Sequence, residues 1–420
     1  MLGVVLVGAL ALRLALVVLL RNKPTHDLQV FVSWAQLLMQ YGAHHLYQHV
    51  DTIDHFAVNY PPLFALILAA VDAVYERTMH GGVDLVRLGM LLKLPAIAAD
   101  LVLCALAFRI VRRWAGPPVA LGAAVVAAFA PSTWPISAIW GQVDSIASAF
   151  MLLALALLFE RRFAWAWCAL ALAVLVKPLP IIVAPLILAV QLRAQGWSLR
   201  PFVGPLCAIV IAYLVSLPFA PTAAPIGVIR WLANEYAIGQ SLSHWTSVNA
   251  YNIWTLAGAP TPDLTTVLGL TLHAWGWIAF AAVLVPITWM LYHHLGTQMD
   301  RSAQEQFVTR AWFVVLVAFF IFETRMHERY ILFALALAPL MWYCGRLERR
   351  VAATFIVTFT ACVILVLGFY EHSWMKENAA ITHLLSLINV AAFAVAAVSY
   401  FTEATRAPYD LVPGSSRGTA

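Results

Sequence analysis

Charged residues are scarce in this chain of 420 residues: 11% are Asp, Glu, Lys or Arg, whereas 63% are hydrophobic. The mean hydropathy is +0.84. Soluble domains carry about 25% charged residues, so this chain has too few to cover a water-facing surface of its size. The scarcity excludes soluble Rossmann enzymes, disordered chains and secreted disulfide scaffolds, and it predicts a polytopic membrane protein.

Cysteine is also sparse, and its five positions show no metal-ligand spacing. They are Cys104, Cys168, Cys207, Cys344 and Cys362. Four lie inside apolar runs and Cys344 ends one, which is typical of small packing residues rather than of a disulfide framework. The net charge of +5 fits basic residues at the cytoplasmic ends of membrane spans, so nucleic acid need not be invoked as a partner.

Twelve apolar segments are candidates for membrane crossings, although several fall short of the roughly 20 residues that a crossing needs. They are residues 2–20, 88–109, 118–134, 145–159, 163–177, 179–192, 202–220, 270–292, 307–323, 330–344, 351–370 and 381–401. The first run shows no small-residue cleavage site of a signal peptide, so it is predicted to remain as an uncleaved span.

A thirteenth apolar segment, 61–75, is predicted not to cross. Arginines cluster at four turns, which the positive-inside rule assigns to the cytoplasm. These turns lie at residues 109–113, 161–162, 193–200 and 346–350. With both termini cytoplasmic, only an even number of crossings is possible. Segment 61–75 is short and carries Asp72, so it is predicted to lie on the outer face or dip into it.

The sequence therefore predicts an all-α polytopic membrane protein with about twelve transmembrane helices. Residues 1–401 would form one domain and 402–420 a polar cytoplasmic tail. The outer surface would consist of a long first loop with interfacial helices and four shorter segments. They are 21–87, 135–144, 221–269, 324–329 and 371–380. Most histidines fall in these segments, so any chemistry is expected on the extracytoplasmic side.

Asp27 lies near the start of the first outer loop, and apolar residues follow it at helical spacing through Leu38. The pattern predicts an amphipathic helix over residues 27–41 at the membrane surface. Two interpretations of Asp27 stay open. It could stabilise the start of this helix, or it could be a general base held where the membrane meets water.

Arg13, Lys93 and Asp100 are ionisable residues that fall inside apolar runs. Asp100 and Arg13 lie at similar depths in their spans, and unpaired charges in a membrane are costly, so a structural Arg13–Asp100 pair is predicted. Lys93 lies near the outer end of its span. It could snorkel to the interface or bind an anionic head group there.

Other outer turns carry polar residues with simple structural explanations. Asp144, at the end of the Trp140–Asp144 turn, could cap a helix, and Lys177 could snorkel. Asn249 and Asn252 lie in an aromatic segment that could be an interfacial loop.

The segment Glu323-Thr324-Arg325-Met326-His327-Glu328-Arg329-Tyr330 has six ionisable side chains in eight residues. Two arginines and a histidine on the outer side run against the positive-inside trend. Arginine binds phosphate oxygens through paired hydrogen bonds. The segment is therefore interpreted as a site for a lipid phosphate, with a solvated charged turn as the alternative.

Taken in order, these motifs resemble those of the C-type (GT-C) polytopic glycosyltransferases that use lipid-phosphate sugar donors. The chain is similar to bacterial relatives of the polyprenyl-phosphate-mannose mannosyltransferases and, more distantly, to the lumenal dolichyl-phosphate-glucose glucosyltransferases. The matching positions are Asp27 with Trp34 and Gly42, Asn59-Tyr60-Pro61-Pro62-Leu63, Lys93-Leu94-Pro95 with Asp100, Trp140-Gly141-Gln142-Val143-Asp144, Lys177-Pro178, Asn249-Ala250-Tyr251-Asn252 and His327-Glu328-Arg329-Tyr330. Beyond residue 345 only the hydropathy matches, so the last two spans have no functional explanation.

The resemblance implies an inverting transfer of a hexose, mannose or possibly glucose, from a polyprenyl phosphate to a membrane-associated glycolipid, glycan or protein. It implies that Asp27 is the catalytic base, and Asp144 is the second catalytic candidate. Basic residues at outer helix ends would hold the donor phosphate: Lys93, Arg325, His327 and Arg329. The other substrate-binding positions would be Tyr60, Gln142, Lys177, Asn249, Asn252 and Glu328.

Relatives of this kind need no metal or other cofactor, and the enzyme is expected in the inner or plasma membrane with its site facing outward. Two other classes remain open. A transporter would place ionisable residues near mid-membrane and show symmetry-related repeats. A lipid-linked glycan polymerase or ligase would concentrate basic residues in one large late loop.

Overall fold

Helices make up nearly all of the regular structure in the computed structural model of this chain. It describes residues 1–78, 84–258, 260–295, 299–368 and 379–406, with only the backbone at 367–368 and 404–406. The α-helices in these residues are α1 (Leu2–Leu19), α2 (His26–Tyr41), α3 (Pro62–Thr78), α4 (Leu85–Ala115), α5 (Pro117–Phe129), α6 (Asp144–Phe159), α7 (Phe163–Val176), α8 (Ala184–Gln195), α9 (Val203–Ser216), α10 (Pro225–Ser241), α11 (Ile253–Leu256), α12 (Leu272–His294), α13 (Arg301–Phe322), α14 (Leu332–Leu335), α15 (Ala338–Met341), α16 (Arg346–Gly368) and α17 (Ala379–Arg406).

Short 3₁₀ helices, one π-helix and four two-residue strands connect these helices in the described residues. The 3₁₀ helices are Ala43–Gln48, Leu179–Val183, Arg200–Phe202 and Glu328–Ile331, and the π-helix is Pro135–Trp140. The strands are β1 (Ser247–Val248), β2 (Thr266–Val267), β3 (Leu270–Thr271) and β4 (Met326–His327). β1 pairs with β4 in parallel, with Val248 opposite His327, and β2 and β3 form an antiparallel hairpin.

Within the described ranges, six helices have the length and apolar composition of membrane spans: α1, α4, α12, α13, α16 and α17. Five shorter apolar helical segments accompany them, at 117–129, 144–159, 163–176, 179–195 and 200–216. These eleven segments coincide with eleven of the twelve predicted crossings, and the all-α polytopic class is confirmed. The number of crossings and their orientation remain predictions.

The remaining predicted crossing, 330–344, is not one continuous helix. It is divided between the Glu328–Ile331 turn, α14 and α15, and Pro339 near the start of α15 has no N–H with which to continue the preceding helix. Residues 331–341 are buried throughout. An irregular backbone is tolerated at membrane depth only where protein rather than lipid surrounds it, so burial explains the break.

The predicted ion pair between α1 and α4 is confirmed. Arg13 Nε lies 2.6 Å from Asp100 Oδ2, and both side chains are fully buried. Ser137 Oγ donates to the same carboxylate oxygen at 2.6 Å, and Arg13 also donates to the carbonyl of Ala128 at 3.0 Å. These contacts attach the π-helix region to the two long helices that support it.

The helix ends assigned to the cytoplasm gather at one end of the bundle. Arg109 lies 2.6 Å from Glu160, and Arg113 forms an ion pair with Glu305, which joins the ends of α4 and α6 to the start of α13. The first outer loop and the turns around residues 140, 177 and 327 meet at the opposite end.

The amphipathic helix predicted at 27–41, in the loop assigned to the outer side, is observed as α2. Segment 61–75 forms α3, which spans about 25 Å at 1.5 Å per residue and belongs to neither set of apolar helices above.

Residues 369–378, which include most of the predicted outer segment 371–380, lie outside the described residues, as do residues 407–420 of the predicted tail. Residues 402–406 extend α17.

A topological test follows from α3. A reporter fused after Glu76 should be extracytoplasmic, and one fused after Arg113 should be cytoplasmic, because the predicted parity allows no crossing by α3 and because this helix carries two acids, Asp72 and Glu76. Alkaline phosphatase and green fluorescent protein fusions report the two sides. A cytoplasmic signal after Glu76 would mean that α3 crosses and that the predicted parity is wrong.

Candidate active site

The start of α2 is attached to the end of the π-helix through Thr25. The Thr25 hydroxyl accepts from the Leu28 N–H at 3.4 Å, which caps α2, and donates to the Trp140 carbonyl at 2.6 Å. Asp27 is therefore not the capping residue. It lies in the first turn of α2, where the helix dipole favours a negative charge, and its side chain is left for other contacts.

Asp27 is held by groups from two distant parts of the chain. The indole Nε1 of Trp140 donates to Asp27 Oδ2 at 2.5 Å, and Arg329 Nη1 lies 3.7 Å from the same oxygen. The amide of Gln142 lies beside the carboxylate. The Asp27 side chain is still 23% exposed, so a second molecule can reach it.

Trp140 and Gln142 are positioned by the tight turn between them. The π-helix ends at Gly141, whose φ of 82° is in the left-handed region that favours glycine. A Cβ at Gly141 would lie 3.1 Å from Leu28 and 3.4 Å from Lys93. The close approach of α2 and α4 to this turn therefore requires glycine, and it brings Trp140 toward Asp27.

The segment 324–329 is buried rather than solvated. Arg329 is 8% exposed and Glu328 3% exposed, and Arg329 Nη1 lies 3.1 Å from Glu328 Oε1. The Arg329 guanidinium also packs on the Trp140 ring, 5.5 Å from its centroid. Burial of this charged segment excludes the alternative of a solvated turn. The five residues Asp27, Trp140, Gln142, Glu328 and Arg329 are called the Asp27 cluster below.

The electrostatics of the Asp27 cluster keep its acid ionised. Burial alone would raise the pKa of Asp27, but the Arg329 guanidinium and the neighbouring Gln142 and Trp140 side chains outweigh it and hold that pKa below the usual value. Burial, with Arg329 nearby, holds the pKa of His327 well below its usual value. His327 is therefore neutral at pH 7 and acts as a hydrogen-bonding group rather than a cation.

A second buried pair lies next to the cluster. Lys177 Nζ lies 2.7 Å from Asp144 Oδ1, and both side chains are nearly inaccessible, so Asp144 is not simply a helix cap and Lys177 does not snorkel. The Lys177 ammonium lies 5.6 Å from the ring centroid of Tyr60 and 4.9 Å from that of Tyr330. The Tyr60 hydroxyl donates to Gln142 at 3.3 Å, which links this pair to the Asp27 cluster.

Several buried polar atoms around Tyr60 have no hydrogen-bond partner within the described residues. They are Trp34 Nε1, Gln142 Nε2, Asp144 Oδ2 and Arg329 Nε. An unsatisfied buried polar atom costs about 1–3 kcal/mol. Three donors and one acceptor without a protein partner thus lie in one place, where a polar molecule could bind them.

Two predicted site residues, Lys93 and Asn252, donate to backbone carbonyls instead. Lys93 Nζ donates to the carbonyls of Ala138 and Ile139, both at 3.0 Å, at the end of the π-helix. Asn252 caps α11 and also donates to the Phe320 carbonyl. The phosphate-binding role predicted for Lys93 and the substrate-binding role predicted for Asn252 therefore gain no support from these contacts.

Arg325 belongs to a separate polar cluster, and the contacts described for Asn249 are made by its backbone. Arg325 Nε lies 2.6 Å from the buried Asp263, and its Nη1 donates to the Gln240 carbonyl. Asn249 has a φ of 60° and forms a β-bridge with His327. Arg325 is thus directed away from Asp27, whereas Arg329, four residues later, is directed toward it.

Trp140 and Tyr330 contact the site although sequence reasoning gave them no role. Both lie inside motifs that the sequence analysis matched, but an indole that donates to a carboxylate and a ring that faces a lysine cannot be told from core aromatics by pattern. Among the described residues, no group of three or more His, Cys, Asp or Glu side chains could hold a metal ion. Metal independence stays a prediction.

Several solved structures are similar to this chain. ArnT from Cupriavidus metallidurans bound to undecaprenyl phosphate has a TM-score of 0.50 and 14% identity, covering 96% of this chain and 77% of that chain. Its apo structure gives a TM-score of 0.46 and 14% identity, covering 89% and 72%. The apo oligosaccharyltransferase of Archaeoglobus fulgidus gives a TM-score of 0.44 and 12% identity, covering 94% and 56%.

The likeness to ArnT is evidence for the fold of this chain. No family model matches the sequence, and no curated protein matches it. At 14% identity over 96% of this chain, the likeness shows that the chain shares the overall fold of ArnT. The mannose or glucose subtype stays a prediction.

The buried Lys177–Asp144 pair gives a stability test. Lys177→Met leaves the Asp144 carboxylate buried without its partner, which costs about 3–5 kcal/mol. The double variant Asp144→Asn/Lys177→Met leaves no unpaired charge and should recover part of that loss. Thermal unfolding of the purified proteins in detergent measures both. Equal instability of the single and double variants would contradict the pairing as the source of stability.

Proposed function

We propose that this protein is an inverting glycosyltransferase. It transfers a hexose from a polyprenyl-phosphate sugar to a membrane-associated glycolipid, glycan or protein on the extracytoplasmic face. The observation that carries the proposal is the Asp27 cluster itself. An ionised and partly exposed carboxylate lies 3.7 Å from a buried guanidinium, so a base and a phosphate-binding cation lie side by side.

Asp27 has the properties required of the general base. Its pKa is held below the usual value by Arg329 despite burial, so it is ionised at neutral pH. The acceptor hydroxyl attacks the anomeric carbon, its proton goes to Asp27, and the bond from that carbon to the phosphate oxygen breaks. The polyprenyl phosphate leaves with the bonding electrons, and a single displacement inverts the anomeric centre.

Arg329 suits the leaving phosphate. Its Nε–H is buried and has no acceptor among the described residues, and guanidinium groups bind phosphate oxygens through parallel N–H bonds. Negative charge grows on the phosphate as the bond to the sugar breaks, so a cation fixed in a buried site stabilises the transition state most. His327, as a neutral imidazole beside Arg329, can add a hydrogen bond.

The unsatisfied atoms around Tyr60 suit the transferred sugar. Gln142 Nε2 can donate to a sugar hydroxyl and Asp144 Oδ2 can accept from one, and both atoms are buried. Lys177, whose ammonium lies near the rings of Tyr60 and Tyr330, holds Asp144 through their ion pair. Mannose is favoured, with glucose second, by the resemblance of the motifs alone.

The polyprenyl donor is supported by fold likeness. The ArnT structure of the same fold was determined with undecaprenyl phosphate bound, so this fold can present a polyprenyl phosphate to a protein site. A transporter is less well supported, because the polar atoms left unsatisfied around Tyr60 lie at the end of the bundle where the outer loops meet.

The role of Asp27 is tested by replacing it with asparagine. Asp27→Asn keeps the shape and can still accept from Trp140, but it cannot take up the proton. Loss of a general base lowers the rate by about 10²–10⁴-fold. Transfer of sugar from polyprenyl-phosphate-mannose or -glucose to membrane lipids measures that rate, and wild-type protein inactive with both donors would overturn the proposed hexose transfer.

Asp54→Asn provides the matched control for Asp27. Asp54 lies in the same outer loop, pairs with His26 at 2.9 Å and is 35% exposed, so the same substitution there should leave the rate unchanged. A folded Asp27→Asn protein that transfers sugar within about threefold of wild type would remove Asp27 as the base. Asp144 would then be the next candidate.

Arg329→Gln should change both donor use and pH dependence. Loss of a hydrogen bond to a charged group costs about 1.5–3 kcal/mol, or roughly ten- to a hundredfold in apparent donor affinity. Burial raises the pKa of Asp27, and Arg329 lowers it. Without Arg329, the effect of burial prevails and the pKa of Asp27 rises. The rate falls as pH drops through that pKa, because a protonated carboxyl is no base. The acid limb of the kcat/KM profile should therefore move to higher pH than in wild type.

Arg325→Gln is the control for Arg329→Gln. Its partner is Asp263 rather than Asp27, so donor affinity and the acid limb should both stay as in wild type. If Arg325→Gln weakens donor use and Arg329→Gln does not, the phosphate lies in the Asp263 cluster and the assignment to Arg329 is wrong.

A further inference from the structure

The last two helices carry none of the motifs of the site, yet they contact the segment that presents Arg329. We propose that Asn389 of α17 is a positioning residue for Arg329. It fixes the loop 247–256, and this loop fixes β4 and the Glu328–Arg329 turn that follows it. The inference rests on the proposed function of Arg329 as the ligand of the donor phosphate.

The Asn389 side chain is buried, and both the nitrogen and the oxygen of its amide form hydrogen bonds. Its Nδ2 donates to the Tyr251 carbonyl at 2.9 Å, and its Oδ1 accepts from the Thr358 hydroxyl of α16 at 2.7 Å. A side-chain amide inside a membrane protein needs partners, since few are offered by lipid. Here one of the partners is the backbone of an outer loop.

The loop 247–256 is paired directly with the strand that precedes Arg329. Ser247 and Val248 lie opposite Met326 and His327 in the β1–β4 pair. Asn249 adds a bridge to His327. Any displacement of this loop is therefore transmitted to the residues immediately before Glu328 and Arg329.

Tyr251 makes a second connection between the last helices and the site. It is buried, and burial raises the pKa of its phenol, with further contributions from the Cys362 thiol of α16 and the Glu328 carboxylate. Glu328 in turn lies 3.1 Å from Arg329. Asn389 binds the backbone carbonyl of Tyr251, and the Tyr251 side chain lies near Cys362 and Glu328. Through Tyr251, α16 and α17 therefore help to position Glu328 and Arg329.

The test compares Asn389→Ala with Ser386→Ala. Ser386 is equally buried on α17, one turn earlier, but its hydroxyl donates only to the Thr382 carbonyl of its own helix. Asn389→Ala removes a neutral hydrogen bond and should weaken binding of undecaprenyl phosphate by about three- to tenfold. Backbone hydrogen exchange at residues 247–256 and 326–331 should also speed up. Ser386→Ala should change neither measurement.

A double-mutant cycle shows whether the effect passes through Arg329. In an Arg329→Gln background, Asn389→Ala should cause no further loss of undecaprenyl phosphate binding, because coupled residues are not additive. An equal loss in both backgrounds would overturn the positioning role. So would exchange at 326–331 as slow as in wild type.

Failure of the proposed function gives a different result. If the wild-type protein itself binds no undecaprenyl phosphate, the donor assignment falls, and hydrogen exchange at 326–331 alone decides whether Asn389 positions that segment. Should Asn389→Ala not fold, Thr358→Val replaces it. This variant removes the hydroxyl that donates to the Asn389 amide oxygen at 2.7 Å and also lies 3.2 Å from the Phe355 carbonyl of its own helix. The same faster exchange is expected.

Discussion

The buried guanidinium of Arg329 is the constraint on which the arrangement of the Asp27 cluster depends. A charge taken out of water is tolerated only with partners and hydrogen bonds around it. Arg329 finds Glu328 beside it in the chain and Asp27 three hundred residues away. The capped start of α2, the glycine-terminated π-helix and the β1–β4 pair each fix one side of this arrangement.

The same guanidinium connects two chemical requirements. It keeps the pKa of Asp27 low, so the carboxylate stays ionised although it is partly buried. It also leaves a buried N–H without an acceptor among the described residues. In the proposed reaction, the residue that keeps the base ready thus also receives the leaving phosphate, and loss of Arg329 would impair both.

Local patterns predicted the parts of the fold that depend on hydropathy and on the cost of charge. The Arg13–Asp100 pair followed from depth alone, and the amphipathic α2 followed from spacing. The break at 330–344 could not be predicted, since it depends on burial by neighbouring helices rather than on composition. Hydropathy is the same for an apolar segment in lipid and for one inside the protein.

The site was predicted in outline but not residue by residue. Arg325 and Arg329 look equivalent in sequence, and they differ because Asp263, from a distant loop, binds one of them. Lys93 and Asn252 bind backbone carbonyls, which no sequence pattern displays. Conversely, Trp140 resembles an ordinary interfacial aromatic until its indole is seen to donate to Asp27.

A structure of the protein with undecaprenyl phosphate bound tests the central claim most directly. The account predicts a phosphate oxygen within about 3.2 Å of an Arg329 nitrogen, with Asp27 facing the side from which an acceptor would approach. A phosphate bound beside Arg325 and Asp263, with Arg329 still enclosed by Asp27 and Glu328, would contradict it.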